Sequence, residues 1–186
     1  YIQDFESATP PKMPLCTSAV NASEGSANWF IENNPGYGFN SNTLTYLSPA
    51  DDIDANAWFF TQGINLEAGK DYTISYRYGG ASTDDFYYNN SLKVMYGNGA
   101  NPISMNETIA DYPNFSLDAP VAQSINFTPT STDVYYFGFN VYSPNNSYYM
   151  FIDDIIVDNK LSNNQFNTAD FNYYPNPVKD VLHISY

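Results

Sequence analysis

Apolar and polar residues alternate along much of this chain with the two-residue period of a β-strand. The clearest runs are residues 71–78, 91–96 and 134–142, in which every second side chain is apolar or aromatic. Successive side chains on a strand point to opposite faces, so each run is predicted to bury one face. No stretch shows the 3.6-residue period of an amphipathic helix. About ten strands, separated by turn residues at intervals of roughly 8–12 residues, predict an all-β fold, a jelly-roll β-sandwich.

Two adjacent aspartates, Asp153 and Asp154, interrupt the long strand predicted over residues 148–157. Neighbouring side chains on a strand face opposite ways, so at least one carboxylate faces the interior or rim of a sheet, where an unpartnered charge is costly. Lys and Arg are scarce around it, and a second acidic, strand-like fragment, with Asp4 and Glu6, opens the chain. If the first and last strands are neighbours, the four carboxylates meet, and a hard cation such as Ca²⁺ would neutralise them. The alternative is that Asp153 caps a turn or accepts hydrogen bonds from backbone amides.

The character of the chain changes after Val157. Residues 1–157 are predicted to form the sandwich, and residues 158–170 are polar without periodicity, which is typical of a linker. Residues 171–186 begin a new unit, in which a proline-rich turn precedes one alternating strand at residues 180–186. Because one strand cannot fold alone, we expect this unit to be truncated or to borrow the sheet of a partner.

Composition supports the all-β prediction and narrows the choice of partners. Of the 186 residues, 18 are Tyr and 13 are Phe, and aromatic residues favour strands. The formal charge is -14, so nucleic acid is a poor partner and an anionic membrane would repel the chain.

No apolar segment approaches the ~20 residues that span a bilayer. No basic-then-apolar leader is present, so a signal peptide, if one existed, is expected to have been removed.

The residues that common catalytic sites need are missing from the predicted sandwich. The only histidine, His183, lies in the C-terminal unit, and the only cysteine, Cys16, has no histidine near it. A Ser-His-Asp or Cys-His set therefore cannot be assembled, and no zinc-binding or phosphate-binding motif occurs. A glycosidase-like pair of carboxylates is not excluded by counting, but most acids fall in turn-like segments, where Asp is common. We therefore expect no enzymatic activity.

Tyrosines in segments rich in Asn and Gly are candidates for sugar binding. Aromatic rings pack against the apolar faces of pyranose sugars, while Asn and Asp side chains bind their polar edges. The candidates are Tyr37, Tyr87, Tyr88 and Tyr148. Because the chain has 18 tyrosines, the competing interpretation for each candidate is packing at the core or its rim.

The C-terminal segment resembles an export signal. Tyr174, Pro175, Asn176 and Pro177, followed by a short amphipathic strand, resemble the opening of the C-terminal sorting domain of type IX secretion cargo in Bacteroidota. The later strands of such a domain, with their Gly-x-Tyr and Lys-rich segments, are absent from this sequence. The resemblance implies export across the outer membrane of a Gram-negative bacterium, to a secreted or cell-surface location. It also implies that the tail contacts the translocon and cargo shuttle.

The body is similar to the cleaved-adhesin or choice-of-anchor jelly-roll modules of the same bacteria, and distantly to carbohydrate-binding sandwiches. Residues 4–6, 58–66 and 151–155 carry the resemblance, in that order along the chain. Residues 14–16 depart from it, because family members commonly have a tryptophan there. In the family, the first and last acidic strands help to bind structural Ca²⁺. The resemblance transfers this role best to Glu6 and Asp153, and less directly to Asp4 and Asp154.

Together these features predict a non-catalytic adhesin or binding module that is stabilised by calcium. Its partner would be a polysaccharide, a glycoprotein or another cell. Two alternatives stay open: an accessory module of a larger secreted enzyme, or a passenger that matters mainly as cargo held through residues 173–186. The absence of another domain before the sorting signal favours a stand-alone module.

Overall fold

The computed structural model describes residues 1–48, 53–82, 88–117, 119–145, 147–159, 172–174 and 183–185, the last two segments as backbone alone. In chain order the strands are β1 (Ile2–Gln3), β2 (Ser18–Asn21), β3 (Phe30–Asn33), β4 (Asn42–Leu47), β5 (Ala57–Phe60), β6 (Ile64–Leu66), β7 (Tyr72–Gly80), β8 (Asn90–Gly97), β9 (Met105–Phe115), β10 (Val121–Phe127), β11 (Asp133–Val141), β12 (Tyr149–Asn159), β13 (Asn172–Tyr174) and β14 (His183–Ser185). Among the described residues the one helical segment is a 3₁₀ turn, Pro102–Ser104. Nothing helical in this part of the chain is long and apolar enough to cross a bilayer.

The body strands form two antiparallel sheets, and the all-β sandwich predicted from the sequence is confirmed. The order in the first sheet is β10-β7-β12-β4-β3, with β1 added to β12, and in the second it is β2-β5-β11-β8-β9, with β6 paired to β11. Most neighbours in a sheet are distant in sequence, as in a jelly roll. The predicted pairing of the first and last body strands is also confirmed, since Ile2 lies opposite Ile156.

Aromatic side chains dominate the core between the sheets. The faces predicted to point inward are Tyr72, Ile74, Tyr76 and Tyr78 of β7, Leu92, Val94 and Tyr96 of β8, and Tyr135, Phe137, Phe139 and Val141 of β11, and all are buried. Rings from opposite sheets interlock edge to face: the centroids of Tyr76 and Phe139 are 5.3 Å apart and the planes cross at 88°. Each large apolar side chain that is fully buried contributes roughly 1.5–3 kcal/mol, so this core is the main source of stability.

The first acidic segment, residues 4–6, is a turn and not the predicted strand. Strand β1 ends at Gln3, and Phe5 adopts a left-handed backbone conformation with φ 58°. The backbone N–H of Glu6 donates to Asp4 Oδ1 over 3.2 Å, a local bond that competes with strand pairing. The left-handed residue costs on the order of 1–2 kcal/mol. Burial of the Phe5 ring, which is 0% exposed, offsets that cost and explains the turn.

The second sheet contains elements that the alternation pattern does not reveal. Strand β9 is the longest of them, and its pairing with β8 is broken by three register shifts. These irregularities disturb the alternation that a sequence pattern depends on. The pattern also missed β2 and β6, which have four and three residues and are too short to show a period.

The C-terminal segment contains two strands where the sequence predicted one. Strands β13 and β14 pair with each other, with Tyr173 opposite Ile184. Strand β12 runs to Asn159, so residues 158–159 of the predicted linker extend the body. Residues 160–170, the rest of that linker, lie outside the described residues.

Candidate functional site

The outer face of the first sheet carries two candidate sites along strand β12. Ile152 points into the core between the sheets. Phe151 packs in a separate outer cluster, and the alternation of side chains along a strand places Tyr149, Phe151 and Asp153 on this same outer face. The strand therefore connects an aromatic surface at its beginning with an acidic site near its middle.

A β-bulge positions the two adjacent aspartates. Asp153 lies opposite Arg77 of β7, whereas Ile156 lies opposite Ser75, so the register shifts between them. Asp154 occupies the bulge with a left-handed backbone (φ 53°), a conformation that Asp tolerates better than most residues. The extra residue resets the alternation of inward and outward side chains. As a result, the core pattern continues beyond the bulge although the strand contains two consecutive acids.

The carboxyl group of Asp153 is buried without a basic partner bonded to it. Its residue is 2% exposed, and Oδ1 accepts a hydrogen bond of 2.8 Å from the backbone N–H of Asp154. The Ser41 hydroxyl is 3.5 Å from Oδ2, which is a long contact. Burial raises the pKa of Asp153 to about 7, helped by the negative charges of Asp154 and Glu6 and opposed by the backbone N–H and by Arg77.

Glu6 reaches the same region from the opening turn. The backbone N–H of Asn42 donates to Glu6 Oε1 over 3.1 Å, and the side-chain amide of Asn42 donates to the carbonyl of Phe5 over 3.2 Å. Since Ser41 contacts Asp153 and its neighbour Asn42 binds Glu6, both carboxyl groups lie near the same dipeptide. Asp4 is exposed and instead caps the opening turn.

Asp154 belongs to an ion pair that the sequence did not reveal. Arg77 Nη1 is 3.2 Å from Asp154 Oδ2, although basic residues were expected to be scarce here. The pair joins residues 77 positions apart in the chain, which is why spacing gave no sign of it. The four carboxylates therefore do not form one cluster as predicted. Glu6 and Asp153 lie in the same region, Asp154 is paired with Arg77, and Asp4 caps the opening turn.

The fit of this acidic site to a hard cation is partial. Its donors are oxygens of the kind Ca²⁺ prefers, and the charge of Asp153 has no direct basic partner. However, no three Asp, Glu, His or Cys side chains converge closely enough to hold an ion anywhere in the described ranges. A cation here would be bound by Asp153 and Glu6 together with hydroxyl or backbone oxygens.

The second site is a row of aromatic rings on the same face. Phe151 is fully buried in the outer cluster, stacked against Tyr37 at 5.9 Å and against Tyr149 at 5.6 Å. Tyr149 contacts Tyr148 at 4.6 Å, and Tyr148 contacts Tyr88 at 5.0 Å. We call Tyr37, Phe151, Tyr149, Tyr148 and Tyr88 the tyrosine row.

Three of the four predicted sugar-binding tyrosines belong to this row. Tyr37 and Tyr148 are 36% and 38% exposed, so each presents part of its ring to solvent. Tyr88 lies just before β8, a strand of the second sheet, so the row extends from the outer face of one sheet to the end of the sandwich. The fourth candidate, Tyr87, lies outside the described residues.

A tight turn displays the ring of Tyr37. The N–H and C=O groups of Gly36 and Phe39 exchange hydrogen bonds of 2.9 and 3.2 Å. Between them, Tyr37 (φ 52°) and Gly38 (φ 83°) are left-handed. A left-handed tyrosine is unfavourable, and such residues often occur at functional sites. Arg77 Nη2 holds the turn by donating to the carbonyl of Gly38 over 3.2 Å.

Buried polar atoms with incomplete hydrogen bonding lie near the row. Within the described part of the chain, Glu32 Oε2, Asn90 Oδ1 and Ser147 Oγ lack a hydrogen-bond partner. Asn90 Nδ2 donates to the carbonyl of Tyr149 over 3.3 Å, and Ser147 directly precedes Tyr148. Burial, followed by the negative charge of Glu32, raises the pKa of Tyr149. The row thus combines apolar ring faces with polar groups at its edge.

Sequence reasoning missed several members of these sites. Tyr149 and Phe151 were assigned only to the strand, although their alternation with Asp153 could have placed all three on one face. Arg77 and Glu32 could not have been found, because they come from distant strands. Of the predicted secretion signal, Tyr174 ends β13 as backbone alone, and Pro175, Asn176 and Pro177 lie outside the described residues.

No protein-family model matches this chain, and neither does any curated protein sequence. Solved structures do match it. The K1 cleaved adhesin domain of Lys-gingipain from Porphyromonas gingivalis W83 is 14% identical, with a TM-score of 0.67 over 86% of this chain and 98% of that domain. An arabinose-bound GH51 α-L-arabinofuranosidase is 13% identical, with a TM-score of 0.58 over 83% of this chain but 25% of that enzyme.

A carbohydrate-binding module, TmCBM61, solved in complex with β-1,4-galactotriose, is 12% identical, with a TM-score of 0.54 over 77% of this chain and 88% of the module. At such identities the likeness establishes the fold and not the ligand. This chain therefore has the β-sandwich fold that is found in an adhesin domain and in a carbohydrate-binding module.

Proposed function

We propose that this protein is a non-catalytic module of the adhesin type that binds carbohydrate outside the cell or at the cell surface. The observation that carries the proposal is the tyrosine row, which presents part of the Tyr37 and Tyr148 rings to solvent. Tyrosine is one of the residue types that contribute most of the energy at binding surfaces. The fold shared with an adhesin domain and a carbohydrate-binding module supports the same conclusion.

Carbohydrate suits the chemistry of the row better than a purely apolar ligand does. The faces of Tyr37 and Tyr148 can pack against the C–H faces of pyranose rings, and their hydroxyl groups can bond sugar hydroxyls. The unpartnered oxygen atoms of Glu32, Asn90 and Ser147 near the row are buried, so the polar contacts to a sugar would come from the tyrosine hydroxyl groups. A site with apolar platforms and a few polar groups at the edge is typical of selective small-molecule recognition.

The two adjacent aspartates of β12 favour a binding role over catalysis. Glycosidases need two carboxyl groups that flank one open site. Asp153 is 2% exposed, and Asp154 is paired with Arg77. The sole histidine, His183, follows the sandwich in sequence. These residues leave the outer face suited to holding a ligand without transforming it.

A glycan array followed by isothermal titration calorimetry tests the proposal. We expect binding to at least one uncharged polysaccharide. Tyr148→Ala should weaken it by about tenfold or more, because the stacking ring is lost. Tyr148→Phe keeps the ring and serves as the matched control, with an affinity close to that of the wild type. An array on which no glycan binds, with or without Ca²⁺, would contradict the proposal.

We further propose that calcium stabilises the sandwich through the acidic site. Asp153 and Glu6 would be the carboxylate ligands, with Asp4 and Asp154 in the outer part of the site. When bound, the cation would supply the positive charge that the buried Asp153 carboxylate lacks. It would thereby fix the opening turn to strand β12.

Export by the type IX route is the third part of the proposal. Its support is the resemblance of Tyr174, Pro175, Asn176 and Pro177 to the opening of a sorting domain. The outer-membrane translocon and the cargo shuttle would be the partners of this tail. The protein would then act as a secreted or surface-attached module.

A role as the accessory module of a larger secreted enzyme is the second candidate. The likeness to 25% of an arabinofuranosidase chain favours it, because it places this kind of fold within an enzyme several times larger. In that case the tyrosine row would hold polysaccharide near a separate catalytic domain. Detection of the native protein by immunoblot at its mature size distinguishes the two roles.

A further inference from the structure

We infer that the tyrosine row binds one uncharged, linear oligosaccharide that contacts Tyr37 and Tyr148 at the same time. The inference rests on the proposed carbohydrate-binding function and adds the shape and the charge of the ligand. It follows from three features of the row: the separation of its exposed rings, the way they are held, and the charges around them.

Two other rings, Phe151 and Tyr149, lie between the two exposed rings in the series of contacts that forms the row. Tyr37 contacts Phe151, and Tyr148 contacts Tyr149, while Phe151 and Tyr149 contact each other at 5.6 Å. Tyr149 and Phe151 are two residues apart on one strand, a rise of about 7 Å. Two further ring contacts, of 5.9 and 4.6 Å, connect these two residues to the exposed Tyr37 and Tyr148. A chain of several sugars is needed to cover both ends of such a row.

The surrounding structure holds both rings before any ligand arrives. Tyr37 lies in the tight turn closed by Gly36 and Phe39, and its ring stacks on the fully buried Phe151. Tyr148 is held by ring contacts with both Tyr149 and Tyr88. Rings that are already ordered lose little conformational entropy on binding. A ligand that contacts both can therefore gain from each without reorganising the surface.

The charges near the row favour an uncharged chain. Phe30 and Glu32 are two residues apart on β3, so their side chains lie on the same face of the sheet. Thr45 of β4 is opposite both Phe30 and Phe151. Glu32 therefore shares the outer face with the tyrosine row. The full sequence carries a formal charge of -14. Of the four described basic side chains, three are already paired with carboxylates. An acidic polysaccharide would meet repulsion at close range.

The ligand for the test is a set of oligosaccharides of increasing length. Uncharged β-1,4-linked galactose, glucose and mannose series, from monosaccharide to hexasaccharide, are titrated by calorimetry, together with the acidic β-1,4-mannuronate series. We expect affinity to rise steeply up to a chain of about four sugars and then to level off, as each further contact adds about tenfold. The acidic series should bind at least about tenfold more weakly at low salt.

Tyr37→Asn and Tyr148→Ala are the test variants. Asn accepts a left-handed backbone well, so Tyr37→Asn removes the ring while it preserves the turn, and Tyr37→Phe is the ring-retaining control. Each ring-removing variant should abolish the dependence on chain length beyond the disaccharide. Each should also lower the affinity for the hexasaccharide by about tenfold or more. Unchanged circular dichroism confirms that the variants are folded.

The outcomes separate the inference from the function on which it rests. Binding that does not depend on chain length, or hexasaccharide affinity unaffected by Tyr37→Asn, would overturn the inference and leave carbohydrate binding intact. Equal affinity for the acidic series would overturn the charge selectivity. If no series of any length binds, the inference fails, and if no glycan on the array binds either, the proposed carbohydrate-binding function fails with it.

Discussion

The Asp153 carboxyl group is 2% exposed on the face of a sheet, in a place where most sandwiches would have an apolar or hydroxyl side chain. Its nearest basic neighbour, Arg77, bonds Asp154 instead. Burying a charge without direct compensation is strongly unfavourable. The residue must therefore either keep its proton or acquire a cation, and the two possibilities make opposite predictions about stability.

Without metal, Asp153 should make the protein less stable as the pH rises. Its pKa is raised by burial from the ordinary 3.8 to about 7. Between those values the folded state retains a proton that the unfolded chain releases, so this contribution is full below about pH 4 and lost as the pH passes 7. Urea unfolding in EDTA should show the wild type losing on the order of 3 kcal/mol relative to Asp153→Asn between pH 4 and 8. Parallel stability curves for the two proteins would contradict the prediction.

With calcium, the same carboxylate should become a source of stability at neutral pH. An ion that binds only the folded state raises stability by mass action. Chelation at pH 8 should therefore lower the melting temperature by about 5 °C, and Asp153→Ala should remove that sensitivity. Asp158→Ala is the matched control, since it removes an exposed carboxylate from the same strand and should leave the effect of EDTA unchanged. Indifference of the wild type to EDTA in differential scanning calorimetry would refute the calcium proposal.

At the level of elements, strand β12 organises both candidate sites. It pairs with β7, β4 and β1, just as β11 in the second sheet pairs with β5, β6 and β8. One face contributes to the core, while the other carries Tyr149, Phe151 and Asp153. The bulge at Asp154 makes both roles possible, because after the two aspartates it turns the side chains of Ile155 and Val157 back into the core. A change at the bulge would therefore affect the core and the outer face together.

The alternation of side chains was enough to predict the sandwich and its inward faces. Burial in a sandwich acts on every second residue, so the period of Tyr72, Ile74 and Tyr76 is visible without any knowledge of partners. The opening turn was not predictable in the same way. Phe5 enters the core through a left-handed conformation, which depends on the space that the finished fold leaves for its ring.

The candidate sites were predictable only where their residues are close in sequence. The acidic pair on β12 and the tyrosines in Asn-rich segments could be identified as candidates from residue type. The contacts that decide their roles join distant elements: Arg77 with Asp154, Tyr37 with Phe151, and Ser41 with Asp153. Tertiary packing sets these pairs, and a local pattern does not encode it.

At the scale of the whole molecule, the body and the tail differ in how they are built. The two large sheets are made from strands within residues 1–159, and β13 and β14 form a separate two-stranded sheet. Among the described strands, none of the tail is hydrogen-bonded into either large sheet. Removing part of the tail should therefore leave the hydrogen bonds between the strands of the two large sheets intact.

This separation makes export testable without disturbing the fold. In a Bacteroidota host, deletion of residues 174–177 should stop release of the protein and cause it to accumulate in the periplasm. The melting temperature of the purified variant should stay within about 2 °C of the wild type, since no body strand is changed. Immunoblots of medium and periplasm measure the distribution, and pull-down with translocon components should lose the variant but not the parent.

A deletion of equal length in the predicted linker, residues 163–166, is the matched control. It shortens the chain by the same amount and leaves the Tyr-Pro-Asn-Pro segment in place, so release should continue. Equal release of both deletion variants would show that the tail segment is not the export signal. Loss of release in both would instead mean that the spacing between body and tail matters, which a linker series of graded length would then measure.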